Sequence, residues 1–218
     1  MTEVRLLVAD DHEVVRRGIR ALLETEPGWT VCAEAANGRE AVERAAATEP
    51  DVAILDVSMP ELNGFEAARQ IRKTCPRCEV LILTMHESEA VLRDALAAGV
   101  RGYVLKSDAG RMLIAAVDAV RQHKSFLTPA AADMVLADYR RHEGAGPGAD
   151  VPRLRLSPRE REVVQLLAEG KSTKAVARTL GISVKTADTH RTNVMRKLAL
   201  HSQSELVRYA IRNNLIQP

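Results

Sequence analysis

The sequence predicts two folded parts: a parallel α/β sheet covered by helices on both faces, then a small all-α domain of four helices. Three observations predict it. Through residue 122, short apolar runs alternate with amphipathic stretches of about 10–15 residues, the pattern of βαβ units. Residues 143–150 hold three glycines and a proline, which disfavour helix and strand alike. Beyond them the aliphatic spacing is helical throughout and the net charge changes sign.

Strands are expected near 4–9, 30–35, 51–55, 79–84 and 101–105, each an apolar run of strand length. Helices follow near 13–25, 38–48, 63–74, 88–98 and 110–121. Pro50 before the third strand and Gly99 before the last punctuate the pattern. Five strands joined by crossover helices give a doubly wound, flavodoxin-like sheet. A further helix over 130–140 leads into the Gly/Pro-rich segment. The expected boundaries are therefore 1–125 for the first domain, 126–152 for a connecting helix and flexible linker, and 153–218 for the second.

In the tail, Ser157-Pro158-Arg159-Glu160 is a strong helix start: an N-cap serine, a proline at the first helical position, and a glutamate to close a capping box. Val163, Val164, Leu166 and Leu167 face a core until Gly170 stops that helix. Ser172 caps the next helix, with Val176, Ala177 and Leu180 inward and Gly181 as terminator. A longer helix runs from Val184 to about Leu200, and a last one from Ser204 to Asn213. The tight Leu180-Gly181-Ile182-Ser183 turn makes a helix-turn-helix of the middle pair. On the longer helix Ala187, Val194 and Leu198 serve the core. Lys185, Asp188, Thr189, Thr192, Asn193 and Arg196 lie on the other side, polar and of middling length, as a groove-entering helix requires.

Composition narrows the class. Only 3% of the 218 residues are aromatic, so the cores must be aliphatic. The amino terminus has no charged-then-apolar signal segment and the apolar runs are too short to span a bilayer, so a cytoplasmic protein without membrane partners is expected. Three cysteines exclude a disulfide scaffold. Cys75-Pro76-Arg77-Cys78 is a lone CxxC at a helix end, with no second pair to complete a zinc site, and is read as chance. Residues 1–125 carry 16 Lys+Arg against 20 Asp+Glu, whereas residues 153–218 carry 13 against 5, a net +8. A basic block on an acidic domain points to a polyanion partner.

The chemistry gathers at strand ends. Asp10 and Asp11 close the first apolar run and Asp56 the third; in neighbouring parallel strands all three carboxylates meet at one carboxyl edge of the sheet. Crowded carboxylates repel one another unless a divalent cation neutralises them, and oxygen-only ligands favour Mg²⁺. Thr84 ends the fourth run with a hydroxyl donor, and Lys106 ends the fifth with a compact cation suited to phosphate. That set suits phosphoryl transfer onto a carboxylate.

On Asp10-Asp11, Asp56 with Met59-Pro60 and Gly64, Thr84, and Lys106, the first half resembles the receiver domain of two-component response regulators, over about residues 3–122. The resemblance implies that Asp56 accepts a phosphoryl group from a sensor histidine kinase. It implies that Asp10, Asp11 and Asp56 hold Mg²⁺ together with the backbone carbonyl of Ser58, and that Thr84 and Lys106 sense the phosphoryl oxygens. Tyr103 matches the aromatic position that reorients on activation. Where receivers often carry proline after the lysine, this chain has Ser107.

The tail resembles the LuxR-type DNA-binding domain over about residues 154–216, through Leu156 to Val164, Ala168-Glu169-Gly170-Lys171-Ser172, Val176-Ala177, Leu180 to Ser183, Lys185-Thr186, His190, and Arg196-Lys197-Leu198. The expected DNA contacts are Ser172, Lys174, Lys185, Thr186, Asp188, Thr189, His190, Thr192 and Arg196. Two departures stand out. Thr173-Lys174-Ala175-Val176-Ala177 lacks the family's usual acidic residue in the scaffold helix, and Asp188 occupies a variable base-facing position, so the target sequence cannot be copied from relatives.

The resulting expectation is a response regulator of the NarL/FixJ type: a phosphorylation-controlled transcription factor, not an enzyme, whose partners are a sensor kinase, double-stranded operator DNA and a second copy of itself, with RNA polymerase compatible as a further one. A phosphatase using Asp56 as nucleophile is the rival from another class, but no second general acid stands near Asp56 and a DNA-binding tail would be idle. A regulator answering to a ligand instead of phosphate is the third reading.

Overall fold

The computed structural model describes residues 3–85, 88–143 and 156–216. Strands β1 (Val4–Ala9), β2 (Trp29–Ala35), β3 (Val52–Asp56), β4 (Glu79–Thr84), β5 (Gly102–Leu105) and β6 (Phe126–Leu127) form one six-stranded sheet in the order β2-β1-β3-β4-β5-β6. Every pairing is parallel. Helices α1 (Glu13–Leu23), α2 (Gly38–Thr48), α3 (Gly64–Thr74), α4 (Glu89–Ala97) and α5 (Ala109–Arg121) supply the crossovers.

Because helices cover both faces, the central strands are apolar throughout, and all of β3 is buried. Leu6, Val8, Ile54, Leu81 and Leu83 point to one face and pack with Ile19 and Leu23 of α1 and Leu113, Ala116 and Val117 of α5. Leu7, Ala53, Leu55 and Ile82 point to the other, against α2, α3 and α4. Each fully buried leucine or isoleucine contributes roughly 1.5–3 kcal/mol to holding these layers together. The strand period therefore sends alternate residues into two aliphatic cores, while the sheet's carboxyl edge stays open for β1, β3, β4 and β5 to end in Asp10, Asp56, Thr84 and Lys106.

The expected count of five strands is corrected to six. β6 is only two residues long, between Ser125 and Thr128, and pairs Gly102 with Phe126 and Tyr103 with Leu127. Two residues carry no readable alternation. α6 (Pro129–Glu143) then packs on α4 and places Ala131 in the same core as Leu7, Leu55 and Ile82. Beyond Glu143 the expected linker lies outside the described residues.

The tail holds four helices: α7 (Pro158–Ala168), α8 (Thr173–Thr179), α9 (Val184–Lys197) and α10 (Gln203–Arg212). The capping box forms as its residues predict: the Glu160 N–H donates to Ser157 Oγ at 3.3 Å and the Ser157 N–H to Glu160 Oε2 at 2.7 Å. The helix-turn-helix turn needs Gly181, which sits at φ +64, and closes with Ile182 N–H on the Ala177 carbonyl at 3.0 Å. α9 ends at Lys197, short of the expected Leu200, because Ala199 turns left-handed at φ +51. Leu156, Val163, Leu166, Val176, Val194 and Leu206 form a separate core here. No helix among the described residues is long and apolar enough to cross a membrane.

Candidate functional site

At the carboxyl edge, Asp10 is 1% exposed and Asp56 is 3% exposed. Lys106 Nζ lies between them, 2.6 Å from Asp10 Oδ2 and 3.0 Å from Asp56 Oδ2. One ammonium thus serves two buried carboxylates. Burial pushes the Asp56 carboxyl above its usual value, Lys106 opposes this, and the charge of Asp10 adds to it. Burial works against the Lys106 charge too, but the attraction of Asp56 and Asp10 prevails and holds its pKa above the usual lysine value.

The backbone aims these groups. His12 N–H donates to Asp10 Oδ1 at 2.9 Å, and Asp10 N–H donates to the Ala35 carbonyl of β2 at 3.1 Å. Val57 N–H donates to Asp56 Oδ1 at 2.8 Å, and Gly64 N–H to the Val57 carbonyl at 2.9 Å. Gly64 permits that approach: a Cβ there would lie 2.1 Å from the Asp56 carbonyl oxygen. Asn63 caps α3 by accepting from Glu66 N–H at 3.0 Å. The Asn63-Gly64 pair is thus the device that brings α3 hard against the end of β3.

The donor set suits a hard divalent ion. Asp10 Oδ2 and Asp56 Oδ2 are buried and accept no directed hydrogen bond among the described residues, with only the Lys106 ammonium beside them. Asp11 stands at the rim with its side chain 31% exposed. Asp10, Asp11 and His12 offer ligand atoms within 4.8 Å of one another. His12 was not expected here; its Nδ1 is 2.8 Å from Asp11 Oδ1, and its place directly after the acid pair was the available signal. Arg16, likewise unexpected, donates from Nη1 to the Asp10 carbonyl at 2.7 Å.

The structure brings Asp10, Asp56 and Lys106 into contact, with Asp11 at the rim and Ser58 two residues beyond Asp56 on the same loop. Thr84, 0% exposed, ends the neighbouring strand, paired in register with Leu105. Tyr103 is 1% exposed, inside the α2–α4 core. The CxxC thiols are free and buried; burial first, then Cys75, pushes the Cys78 thiol up to about 12, so it stays protonated at neutral pH.

In the tail, Lys185, Thr186, Asp188, Thr189, Thr192 and Arg196 are exposed along α9, and His190 is half-buried. Ser172 and Lys174 are exposed at the start of α8. Some of these polar groups are already engaged: Ser172 Oγ accepts from Ala175 N–H at 3.2 Å, and Thr189 Oγ1 donates to the Lys185 carbonyl at 2.9 Å. Lys197 is turned inward to Glu160 at 2.8 Å, leaving Lys185, Arg191 and Arg196 as exposed cations of this helix.

A carboxylate pocket on a doubly wound sheet and a helix-turn-helix with a free basic helix define a signal-receiving DNA-binding regulator. Family models agree on both halves: the response regulator receiver domain matches residues 6–118, and the luxR family of bacterial regulatory proteins matches residues 154–210. The chain belongs to the response regulators that join a receiver to a LuxR-type DNA-binding domain. It is 35% identical over 215 residues to the oxygen regulatory protein NreC of Staphylococcus carnosus, covering 98% of this chain and 99% of that one. A LuxR-family response regulator from Aurantimonas sp. has a TM-score of 0.61 at 35% identity, over 64% of this chain and 99% of its own. RcsB of Salmonella enterica, solved on promoter rprA with the phosphomimetic BeF₃⁻, has a TM-score of 0.61 at 28% identity, over 95% and 98%.

Proposed function

We propose that Asp56 is the phosphoacceptor of this regulator, charged by a sensor histidine kinase, and that its phosphorylation drives homodimer formation and operator binding. The observation that carries this reading is the sharing of one Lys106 ammonium between two buried carboxylates, Asp10 and Asp56. Such a pocket lacks positive charge, and Mg²⁺ supplies it. Asp10, Asp11, Asp56 and the Ser58 carbonyl would hold the ion, which when bound neutralises charge on the transferring phosphoryl oxygens. Lys106 then turns from its carboxylates to the phosphoryl group, Thr84 donates to it, and Tyr103 follows the moving loops.

Residues 1–125, 126–152 and 153–218 act in this reading as receiver, connector and DNA-binding domain of a cytoplasmic protein with no enzymatic role beyond its own phosphoryl transfer. Duplex DNA meets Lys185, Thr186, Asp188, Thr189, His190, Thr192 and Arg196 of α9, with Ser172 and Lys174 beside the backbone. RNA polymerase is a downstream partner of this reading. Incubation with acetyl phosphate and Mg²⁺ tests it. Wild type takes up one phosphoryl group per chain and Asp56→Ala none; equal uptake by both would refute Asp56 as acceptor.

A further inference from the structure

α7 and its C-cap residue carry a polar stripe at helical spacing, Glu162, Gln165 and Glu169, that an isolated domain would leave in water. Here Glu162 is 6% exposed and Gln165 is 1% exposed, because the stripe lies against the receiver. Gln165 uses both ends of its amide on one receiver loop. Its Nε2 donates to the Met59 carbonyl at 2.9 Å, and its Oε1 accepts from the Asn63 N–H at 2.8 Å. Ion pairs flank this clamp in both directions. Arg161 of α7 meets buried Glu66 at 2.9 Å, Arg39 of α2 meets Glu162 at 3.2 Å, and Lys171 meets Glu61 at 2.9 Å.

The clamped loop is the one that leaves the phosphoacceptor. Asp56 Oδ1 accepts from Val57 N–H, the Val57 carbonyl accepts from Gly64 N–H, and the adjoining Asn63 N–H is held by Gln165. Met59, the other grip, follows Ser58 directly. Converting the Asp56 carboxylate to an acyl phosphate, or drawing the Ser58 carbonyl onto a cation, displaces this short relay at its start. Meanwhile α9 is left uncovered, with Lys185, Asp188, Thr189, Thr192 and Arg196 exposed.

We propose that Gln165 is the positioning residue that couples the phosphoacceptor pocket to the DNA-binding domain. In the resting chain it clamps α7 to the Met59–Asn63 loop, and a filled pocket releases it. Control then acts on where the DNA-binding domain is held, since the recognition helix is open to DNA in the docked state. This rests on the phosphoacceptor reading above. Linkage is reciprocal: if filling the pocket opens the joint, opening the joint must tighten the pocket.

Gln165→Met keeps the volume and helix preference and removes both hydrogen bonds. Gln165→Glu keeps the acceptor toward Asn63, removes the donor toward Met59 and sets a charge beside Glu169. It decides the matter if the methionine variant fails to fold. Small-angle scattering of the full chain reads the docking, and calorimetric titration with Mg²⁺ and beryllofluoride reads the pocket. Either variant, free of ligand, should be as expanded as beryllofluoride-loaded wild type and should bind the mimic about fivefold more tightly. A purely structural role in α7 would leave that affinity untouched. Variants as compact as wild type, or of unchanged affinity, overturn the coupling alone. Wild type that neither binds the mimic nor labels removes the phosphoacceptor reading as well, and is recognised without any variant.

Discussion

Replacing Asp56 by its neutral isostere, Asp56→Asn, should make the metal-free receiver more stable while destroying its function. Ionised Asp56 sits 3% exposed with half a share of Lys106, and its carboxyl is pushed above the ordinary value of 3.8 by burial. The sign follows directly. A folded-state value above the unfolded one means that the folded chain holds the proton more tightly, so ionisation at neutral pH destabilises the fold. Each unit of such a shift is about 1.36 kcal/mol. Asparagine removes that penalty, can still accept from Val57 N–H, and leaves Lys106 with Asp10 at 2.6 Å. A net gain on the order of 1 kcal/mol is expected, a rise of a few degrees in Tm.

Trp29 of β2 is the only tryptophan, so its fluorescence follows the receiver without interference from the tail. Urea unfolding with chelator near neutral pH should place Asp56→Asn above wild type. The gap should close as pH falls toward 3.8, where wild-type Asp56 protonates in both states. Mg²⁺ should close it from the other side, since an ion at a hundredfold its Kd adds about 2.7 kcal/mol to a chain that binds it. If metal-free Asp56→Asn is less stable than wild type at neutral pH, the Lys106 pair outweighs burial and the account of an under-compensated pocket fails.

Lys106→Ala should still label with acetyl phosphate yet lose most of the phosphate-dependent gain in operator affinity; an unchanged gain sinks its sensing role. Gly64→Ala forces a Cβ to 2.1 Å from the Asp56 carbonyl oxygen and should cost about 1–3 kcal/mol of receiver stability by denaturant titration, with slower labelling. A stability change within about 0.5 kcal/mol would mean that α3 approaches β3 less rigidly than argued. On α9, Lys185→Ala should weaken binding to all sequences and lower the salt slope by about one unit. Asp188→Ala should raise non-specific affinity and relax one base pair by roughly 1–3 kcal/mol, and binding-site selection that keeps every wild-type preference would dismiss Asp188 as a reader.

The pocket and the recognition helix were legible because local chemistry forces them. β3 is buried on both faces, so its sequence is apolar without alternation, and an acid at its end can belong only to the open edge. Ser157 and Ser172 announce their helices by caps that form as expected. β6 was not legible: its two residues are placed by pairing with β5 and by the weight of α6 behind them. The role of Lys106 was half legible: its residue type fits an anion, but that one ammonium lies between Asp10 and Asp56 depends on how the strand ends meet in space. The joint between domains was invisible for a stronger reason. Glu162, Gln165 and Glu169 are polar at helical spacing, which in sequence reads as a solvated face; only the opposing Glu66, Arg39 and the Met59 and Asn63 backbone turn it into an interface.

Magnitudes limit what that joint can do. Moving a regulator from mostly inactive to mostly active takes about 5.5 kcal/mol of differential binding. The two Gln165 hydrogen bonds are worth roughly 0.5–1.5 kcal/mol each, and a half-exposed pair such as Lys171–Glu61 at most about 1 kcal/mol. The buried Glu66–Arg161 and Glu162–Arg39 pairs offset their own desolvation and are poor sources of net stability. The clamp can therefore bias the resting state but cannot supply the whole switch. On the proposed reading the larger share comes from contacts that exist only after release, between two copies of the chain and between each copy and DNA. On the phosphoacceptor reading, phosphorylation replaces the single charge of the Asp56 carboxylate by a phosphoryl group of roughly −1.5 to −2, at the start of the loop that Gln165 holds. A weak clamp whose release permits strong assembly is then sensitive to phosphate and to concentration together, and a Gln165→Met chain should accordingly reach half-maximal operator binding at lower protein concentration without phosphate, yet still respond to it.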